Sequence, residues 1–340
     1  MYIVRDRNRR GLSRRAAMLG TAAGAAAASL PLARVAAAQE AAAFPSRPVR
    51  LVVGFTPGGA TDIAARAFAP RMGELLGQPV VVENRPGAGG NIAMEAVVRA
   101  VPDGHTLLLG TIGTLVSNPI ITRLPFDPVR ELVPVSIAVD VFNILVVPAD
   151  RPWRSAAELI AAAKAAPEQL SWGHSGIGGS THLAGVLLDH LADTRTVSVS
   201  YRGGAQVATD LISGRIDFAF ATAPSVLPHV ESGKLRALAV PTARRSKLLP
   251  DIPTVQEAGV PGFDVASWYA VLAPRGTPQG AVERLAAAMR GALEDPEVVA
   301  VMNRNGLEPM PTTPAEFAAA WAAERARWEP IIRGAGVSAD

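Results

Sequence analysis

Four glycine-rich turns hold the residues of this chain best placed to do chemistry. They are Thr56-Pro57-Gly58-Gly59-Ala60-Thr61-Asp62, the run from Pro86 to Asn91, Ser175-Gly176-Ile177-Gly178-Gly179-Ser180-Thr181-His182, and Tyr201-Arg202-Gly203-Gly204-Ala205. Glycine lets the backbone come close to a bound group, and a helix that starts behind the turn offers unpaired N–H groups and a partial positive charge. A turn of this kind holds a carboxylate or phosphate without a lysine or arginine. Any one of them taken alone is better explained by tight strand-to-helix geometry. Four of them, two in each half of an open α/β protein, point to a small anion gripped from two sides beyond the carboxyl ends of strands.

Other chemistries find less support. Gly173-His174-Ser175-Gly176-Ile177 misses the nucleophile-elbow spacing, because Ile177 stands where the closing glycine belongs. Gly176-Ile177-Gly178-Gly179-Ser180-Thr181 lacks the third glycine of a dinucleotide fingerprint, and no phosphate-loop lysine follows any of the turns. The five histidines, His105, His174, His182, His190 and His229, show no metal-ligand spacing with carboxylates. With no cysteine in the chain, disulfides, thiolate metal sites, a cysteine nucleophile and a lipid-modified N-terminal cysteine are all excluded. No cofactor and no metal are expected. His182 flanks a glycine turn, where it either reaches a ligand or bonds to its own loop. Asp62 either steadies its helix start or accepts a hydrogen bond from a ligand. Trp268 and Tyr269 either line a cleft or belong to the core.

The elements around these turns follow an α/β rhythm. Val49–Phe55 reads as a buried strand and about 61–76 as a helix. Strands follow at 80–83 and 106–111. A middle region opens on a helix with a Ser155/Glu158 capping box, continues through strand–turn–helix units at 170–191 and 196–213, and ends on strands at 216–220 and 235–240. Helices return at about 278–293, 296–303 and from Pro314, where Thr313-Pro314-Ala315-Glu316 is a second capping box. The expected architecture is two α/β lobes, one from residues 45–143 plus 265–340 and the other from 144–264. An inserted lobe requires two chain crossings, hence a hinge and a cleft.

The first 38 residues read differently. Arg5, Arg7, Arg9 and Arg10 precede Ser13-Arg14-Arg15, then an uncharged alanine-rich stretch over 16–32, then Ala36-Ala37-Ala38. That order matches a twin-arginine signal peptide cleaved near Ala38, and the stretch is too short and weakly apolar for a spanning helix. A short linker is expected over 39–48. The whole chain carries +3, but residues 1–38 hold seven arginines and one aspartate, or +6; the remainder has 26 basic against 29 acidic groups, or −3. The basic character therefore belongs to the leader, and a nucleic-acid partner is not expected. An exported protein located in the periplasm follows.

At its glycine turns the sequence resembles the Bug family of tripartite tricarboxylate transporter solute receptors, from about Phe44 to the C-terminus. The matching pieces are Pro57-Gly58-Gly59 with Asp62, Glu83 to Asn91, Pro102-Asp103-Gly104, Leu124-Pro125-Phe126-Asp127-Pro128, Gly176-Ile177-Gly178 with His182-Leu183, Tyr201-Arg202-Gly203-Gly204 and Ser267-Trp268-Tyr269. The resemblance implies a two-lobed periplasmic-binding-protein (flytrap) fold with a ligand cleft between the lobes and no catalysis. It also implies a small carboxylate as ligand and the permease subunits of a membrane transporter as partners. Ligand contacts are expected at Pro57, Gly58, Gly59, Thr61 and Asp62 in one lobe, with Thr111 and Thr114. In the other they are expected at Ser175, Gly178, Ser180, His182, Tyr201, Arg202, Gly203 and Gly204. The chain departs from the pattern at Gly179, Arg202 and His174. It is expected to work as a monomer. The competing readings are a periplasmic hydrolase or transferase acting on a small acid, and an orphan ligand sensor.

Overall fold

The structure of the protein is a computed structural model in which residue 2 and residues 44–337 are described. The twin-arginine motif and residues 39–43 of the 39–48 linker lie outside the described residues.

The chain enters its first sheet at β1 (Val49–Val53), which buries every residue except Arg50. Helix α1 (Ala60–Leu76) follows and stops at Gly77, whose left-handed backbone returns its N–H to the carbonyls of Gly73 and Glu74. Strand β2 (Val80–Asn84), helix α2 (Asn91–Val98), strand β3 (Thr106–Thr111) and strand β4 (Leu132–Val141) complete this pass. One residue later the chain starts β5 (Asn143–Pro148), which belongs to a second sheet. There it forms α3 (Ala156–Ala165), β6 (Ser171–His174), α4 (Ser180–Ala192), β7 (Val197–Ser200), α5 (Gly204–Ile212), β8 (Phe218–Thr222), α6 (Ala223–Glu231) and β9 (Leu235–Ala239). It then returns through β10 (Trp268–Pro274), α7 (Gln279–Leu293), α8 (Pro296–Arg304), β11 (Leu307–Pro309) and α9 (Pro314–Gly334).

The first sheet has the strand order β11-β4-β10-β3-β1-β2, and the second β7-β6-β8-β5-β9. In the first, β1 runs parallel to β2 and β3, while β10 is antiparallel to β3 and β4. In the second, β6 runs parallel to β7 and β8, with β5 antiparallel to β8 and β9. The middle strands β3, β10, β5 and β8 are buried along their whole length, which is why they read as continuous apolar runs rather than alternations. Burial on both faces is visible in β5. Ile144 and Val146 pack with Val207 and Leu211 of α5 and Val226 of α6, whereas Leu145 and Val147 belong to the cluster holding Trp172, Phe218 and Phe220.

Helix starts follow their local chemistry. Thr313 and Glu316 close the capping box reciprocally, with N–H bonds of 3.2 and 2.8 Å. At Ser155 only half of the expected box forms. The Ser155 hydroxyl accepts the Glu158 N–H, but the Glu158 carboxylate takes the N–H of Arg154 instead.

Candidate ligand-binding site

Loops at the carboxyl ends of β1, β2, β3, β6, β7 and β8 surround one cavity of about 750 Å³, within the range of small-molecule sites. Two of its turns are built alike. In Thr56-Pro57-Gly58-Gly59 and Gly176-Ile177-Gly178-Gly179, the fourth residue donates its N–H to the carbonyl of the first at 3.3 and 3.2 Å. The third residue sits at φ +78 in Gly58 and +75 in Gly178. That is the type II turn, which demands a positive φ at its third position. A helix starts directly after each turn, and both have a glycine N-cap with no side-chain cap. The same holds for α5, whose N-cap is Gly203. Three sets of first-turn N–H groups therefore meet the cavity wall uncapped at Ala60, Ser180 and Gly204.

Each of the two matched turns is held from behind by a side chain four residues on. The Asp62 carboxylate accepts the Gly58 N–H at 2.9 Å, and the His182 Nδ1 accepts the Gly178 N–H at 3.3 Å. Burial pushes the Asp62 carboxyl up, but hydrogen bonds from Arg66, Gly58 and Asn84 outweigh it and hold the group below the usual carboxylate range. His182 has no such cation, and it lies against His174 with ring centroids 4.4 Å apart. Burial lowers both imidazoles to about 4, with His174 contributing to the shift of His182. Both rings are therefore neutral near pH 7, which leaves Nδ1 free to accept. The His174 Nδ1 likewise accepts the N–H of Gly176 at 3.2 Å.

Paired hydroxyls cover much of the remaining polar wall. Thr61 shares a hydrogen bond with the buried Tyr269, whose phenol is pushed up to about 12 by burial and so stays protonated. Ser180 donates to Ser267 at 2.9 Å, joining α4 to the strand segment that leads into β10. Phe55, Ile112, Ile121 and Ile177 supply apolar surface. Among the described residues lining the cavity there is no aspartate or glutamate, and Arg202 is the one cation. The loops of the two sheets also meet directly: a Cβ on Gly113 would stand 3.2 Å from the Gly178 carbonyl oxygen.

The model of the tripartite tricarboxylate transporter family receptor matches residues 64–337. The chain belongs to that receptor family. Protein BugT of Bordetella pertussis (strain Tohama I) is 35% identical over 304 residues, covering 89% of this chain and 93% of BugT. Two solved structures are similar. Rpa4515 of R. palustris with adipate has 38% identity and a TM-score of 0.82, with 87% of this chain and 99% of that one covered. MatC (Rpa3494) from Rhodopseudomonas palustris with bound malate has 32% identity and a TM-score of 0.79, with 85% and 100% covered. These relatives share the two-lobed α/β periplasmic-binding-protein fold with this receptor.

Of the residues singled out in the sequence, Gly59, Thr61, Thr111, Ser175, Ser180, Tyr201, Arg202, Gly203 and Gly204 line the cavity of the receptor. Pro57, Gly58, Asp62, Thr114, Gly178 and His182 do not, and the reason is that they build the turns rather than face the opening. The Gly58 and Gly178 N–H groups are spent on Asp62 and His182. Thr114 bonds its hydroxyl to Thr111 at 2.8 Å, and Pro57 serves as the second residue of its type II turn.

The sequence reading also left out residues that do line the cavity, among them Asn118, Thr222, Ser225 and Ser267. The sequence leaves Tyr269 between cleft and core, and the structure places it in the cavity wall. Alternation along β10 separates it from Trp268, which packs edge-on against Phe317 with centroids 5.7 Å apart. That alternation was a usable signal. Thr222 ends a strand and Ser225 lies in the helix that follows without a glycine turn, so nothing in the local pattern marks them.

Proposed function

We propose that this receptor binds one small carboxylate in the cavity between its sheets and passes it to the membrane subunits of a tripartite transporter, without transforming it. The observation that carries the reading is the convergence of three glycine-capped helix starts, at Ala60, Ser180 and Gly204, on a cavity with no acidic side chain in its described lining. Such a wall favours an anion, and backbone N–H groups with neutral hydroxyls suit a carboxylate. Relatives with adipate and malate bound support that class.

In this reading one lobe comprises residues 45–143 plus 265–340 and the other 144–264, and they close on the ligand about the crossings near Phe142 and Ser267. The contacts are made by Gly59, Thr61, Thr111, Ser175, Ser180 and the turn from Tyr201 to Gly204. Export follows the twin-arginine route to the periplasm with cleavage near Ala38, and the mature protein works as a monomer.

A thermal-shift screen of the purified protein against mono-, di- and tricarboxylates tests the central claim. A ligand that binds only the folded state adds about 2.7 kcal/mol at a hundredfold excess over its dissociation constant. The bound acid should be recovered unchanged. A panel without any stabilising acid, or steady conversion of an acid to product, overturns the proposal.

A further inference from the structure

A second cavity, of about 370 Å³, lies on the other side of the chain crossings from the ligand cavity. The strand orders place it there. In the first sheet β4 and β10, by which the chain leaves and returns, separate β11 from β3, β1 and β2. In the second, β5 separates β9 from β8, β6 and β7. The loops around the ligand cavity follow strands on one side of those crossings. The second cavity is lined instead by Glu308 and Pro309 of β11 and by Lys247 and Leu248 of the segment that follows β9.

Its two walls belong to different sheets. Leu248 and Leu249 pack on the second sheet's cluster of Ile144, Val146 and Val207. The facing wall carries Val299 and Asn303 of α8, a helix whose N-cap Asp295 is tied to Arg71 of α1 at 3.0 Å. Next to the crossing at Phe142 the two halves touch. A Cβ on Gly306 would stand 2.6 Å from the Cβ of Ala223 in α6, whose N–H bonds to the Phe142 carbonyl at 3.0 Å. They touch again on the ligand side, where a Cβ on Gly178 would meet Ile121 at 2.8 Å. Beyond the Gly306 contact they stand apart, and Leu248, Val299, Pro309 and Pro311 are left half-buried around the gap. The ion pair across it, Lys247 with Glu308 at 3.1 Å, has its lysine 87% exposed, so it is too well hydrated to fix the width.

A rotation about the crossings that parts the ligand-side loops must bring these rear walls together, as the opposite arms of a lever move. Apolar surface that now faces water is then removed from it, which favours the parted form. We propose that the second cavity is a counter-cleft: it opens as the ligand cavity closes, and the covering of its apolar walls biases the empty receptor towards the open form. This rests on the closing motion of the reading above and adds what opposes it. Affinity for any ligand is reduced by the fraction of receptor held open, so Leu248 and Val299, which touch no ligand, help to set it.

The test is the distance between two spin labels in the ligand-free protein, which the lack of native cysteine makes site-specific. Ile92→Cys and Ala205→Cys put the labels at exposed positions beside Asn91 and Gly204, which line the ligand cavity from different sheets. The melting temperature of each variant is checked first. The empty native protein should show mainly the longer of two distances. Val299→Glu, whose carboxylate resists the burial that opening requires, should raise the short-distance population relative to the long one by about tenfold. Asn303→Trp, which fills the space the walls must close, should shift the ratio the same way. Ala300→Glu, exposed on the same helix and outside the cavity lining, should leave it within about twofold. A ratio that neither folded variant moves, or that moves towards the longer distance, overturns the inference while the closing motion stands. So does an empty native protein that is already closed. A single distance shared by all the proteins, with or without the acids of the screening panel, overturns the closing motion first and this inference with it.

Discussion

The two imidazoles behind the Ser175–Gly179 turn make stability depend on pH in a way that can be worked out. His174 and His182 are lowered from 6.5 to about 4 by burial, and in His182 also by the neighbouring ring. Between those values the unfolded chain binds protons that the folded one refuses. Stability is therefore complete above about pH 6.5 and is lost as pH falls towards 4. At 1.36 kcal/mol per unit, each ring accounts for about 3 kcal/mol over the full window, most of it by pH 4.5. The pair thus removes about 5 kcal/mol by that point, a large part of an ordinary folding free energy. Asp140 works the other way. Burial first, then Glu308 and Asp264, raise its carboxyl to about 6, so it adds about 3 kcal/mol as pH falls from 6 to its unfolded value. The native curve is a sum of opposed slopes, and a single melt cannot separate them. The double substitution His174→Asn with His182→Asn can, because an amide oxygen near the Nδ1 position still accepts the turn N–H groups and does not titrate. Urea unfolding of both proteins at pH 7.5 and 4.5 should show native stability falling relative to the variant by about 5 kcal/mol. Lost ring packing on Trp172 lowers the variant at both pH values and cancels in the difference. Equal pH dependence of the two proteins refutes the reasoning.

Three further outcomes are expected. Gly59→Asp should abolish carboxylate binding in a folded protein, since it sets a carboxylate at the uncapped α1 start. Arg202→Ala should weaken binding less, and calorimetry showing the reverse order would overturn the backbone mechanism. Thr61→Ala should destabilise the protein by about 1–3 kcal/mol in a urea melt, because it leaves the buried Tyr269 hydroxyl without the partner it has in the native structure; a loss of only a few tenths would mean that the hydroxyl finds another partner. Arg14→Lys with Arg15→Lys should block delivery of mature protein on cell fractionation, and normal delivery would exclude the twin-arginine route.

The sequence was legible wherever one local device carried the signal. Buried strands such as β3 stand out as apolar runs, the Thr313 capping box marks the start of α9, and glycine pairs mark the helix starts that face the cavity. It was less legible where a residue's role depends on what packs behind it. Asp62 and His182 each read as a ligand group or a loop support, and no local pattern announces the 2.9 and 3.3 Å bonds that they accept from Gly58 and Gly178. Ser267 belongs to a matching motif, Ser267-Trp268-Tyr269, but nothing local announces its bond to Ser180, 87 residues away in the chain. Asn143 is similar: an asparagine between Phe142 and Ile144 announces a buried amide but not the strand that will lie beside it.

Two of the cavity turns repeat one residue pattern. Gly58-Gly59-Ala60-Thr61-Asp62 and Gly178-Gly179-Ser180-Thr181-His182 share the pattern of two glycines, a small residue, a threonine and a hydrogen-bond acceptor. The structure gives both segments the same turn, the same uncapped helix start and the same N–H bond to the acceptor. The acceptors nevertheless differ for a physical reason. Asp62 is affordable as a buried anion because Arg66 lies one helical turn on and pairs with it at 2.9 Å. The position equivalent to Arg66 is Val186, and Trp172 and His174 close in around the ring instead. An aspartate there would be a buried charge without a cation, so a neutral imidazole is the acceptor that the surroundings tolerate. The two halves of the cavity thus present the same backbone donors to a ligand, while the support behind one is a salt bridge and behind the other a ring that must stay unprotonated.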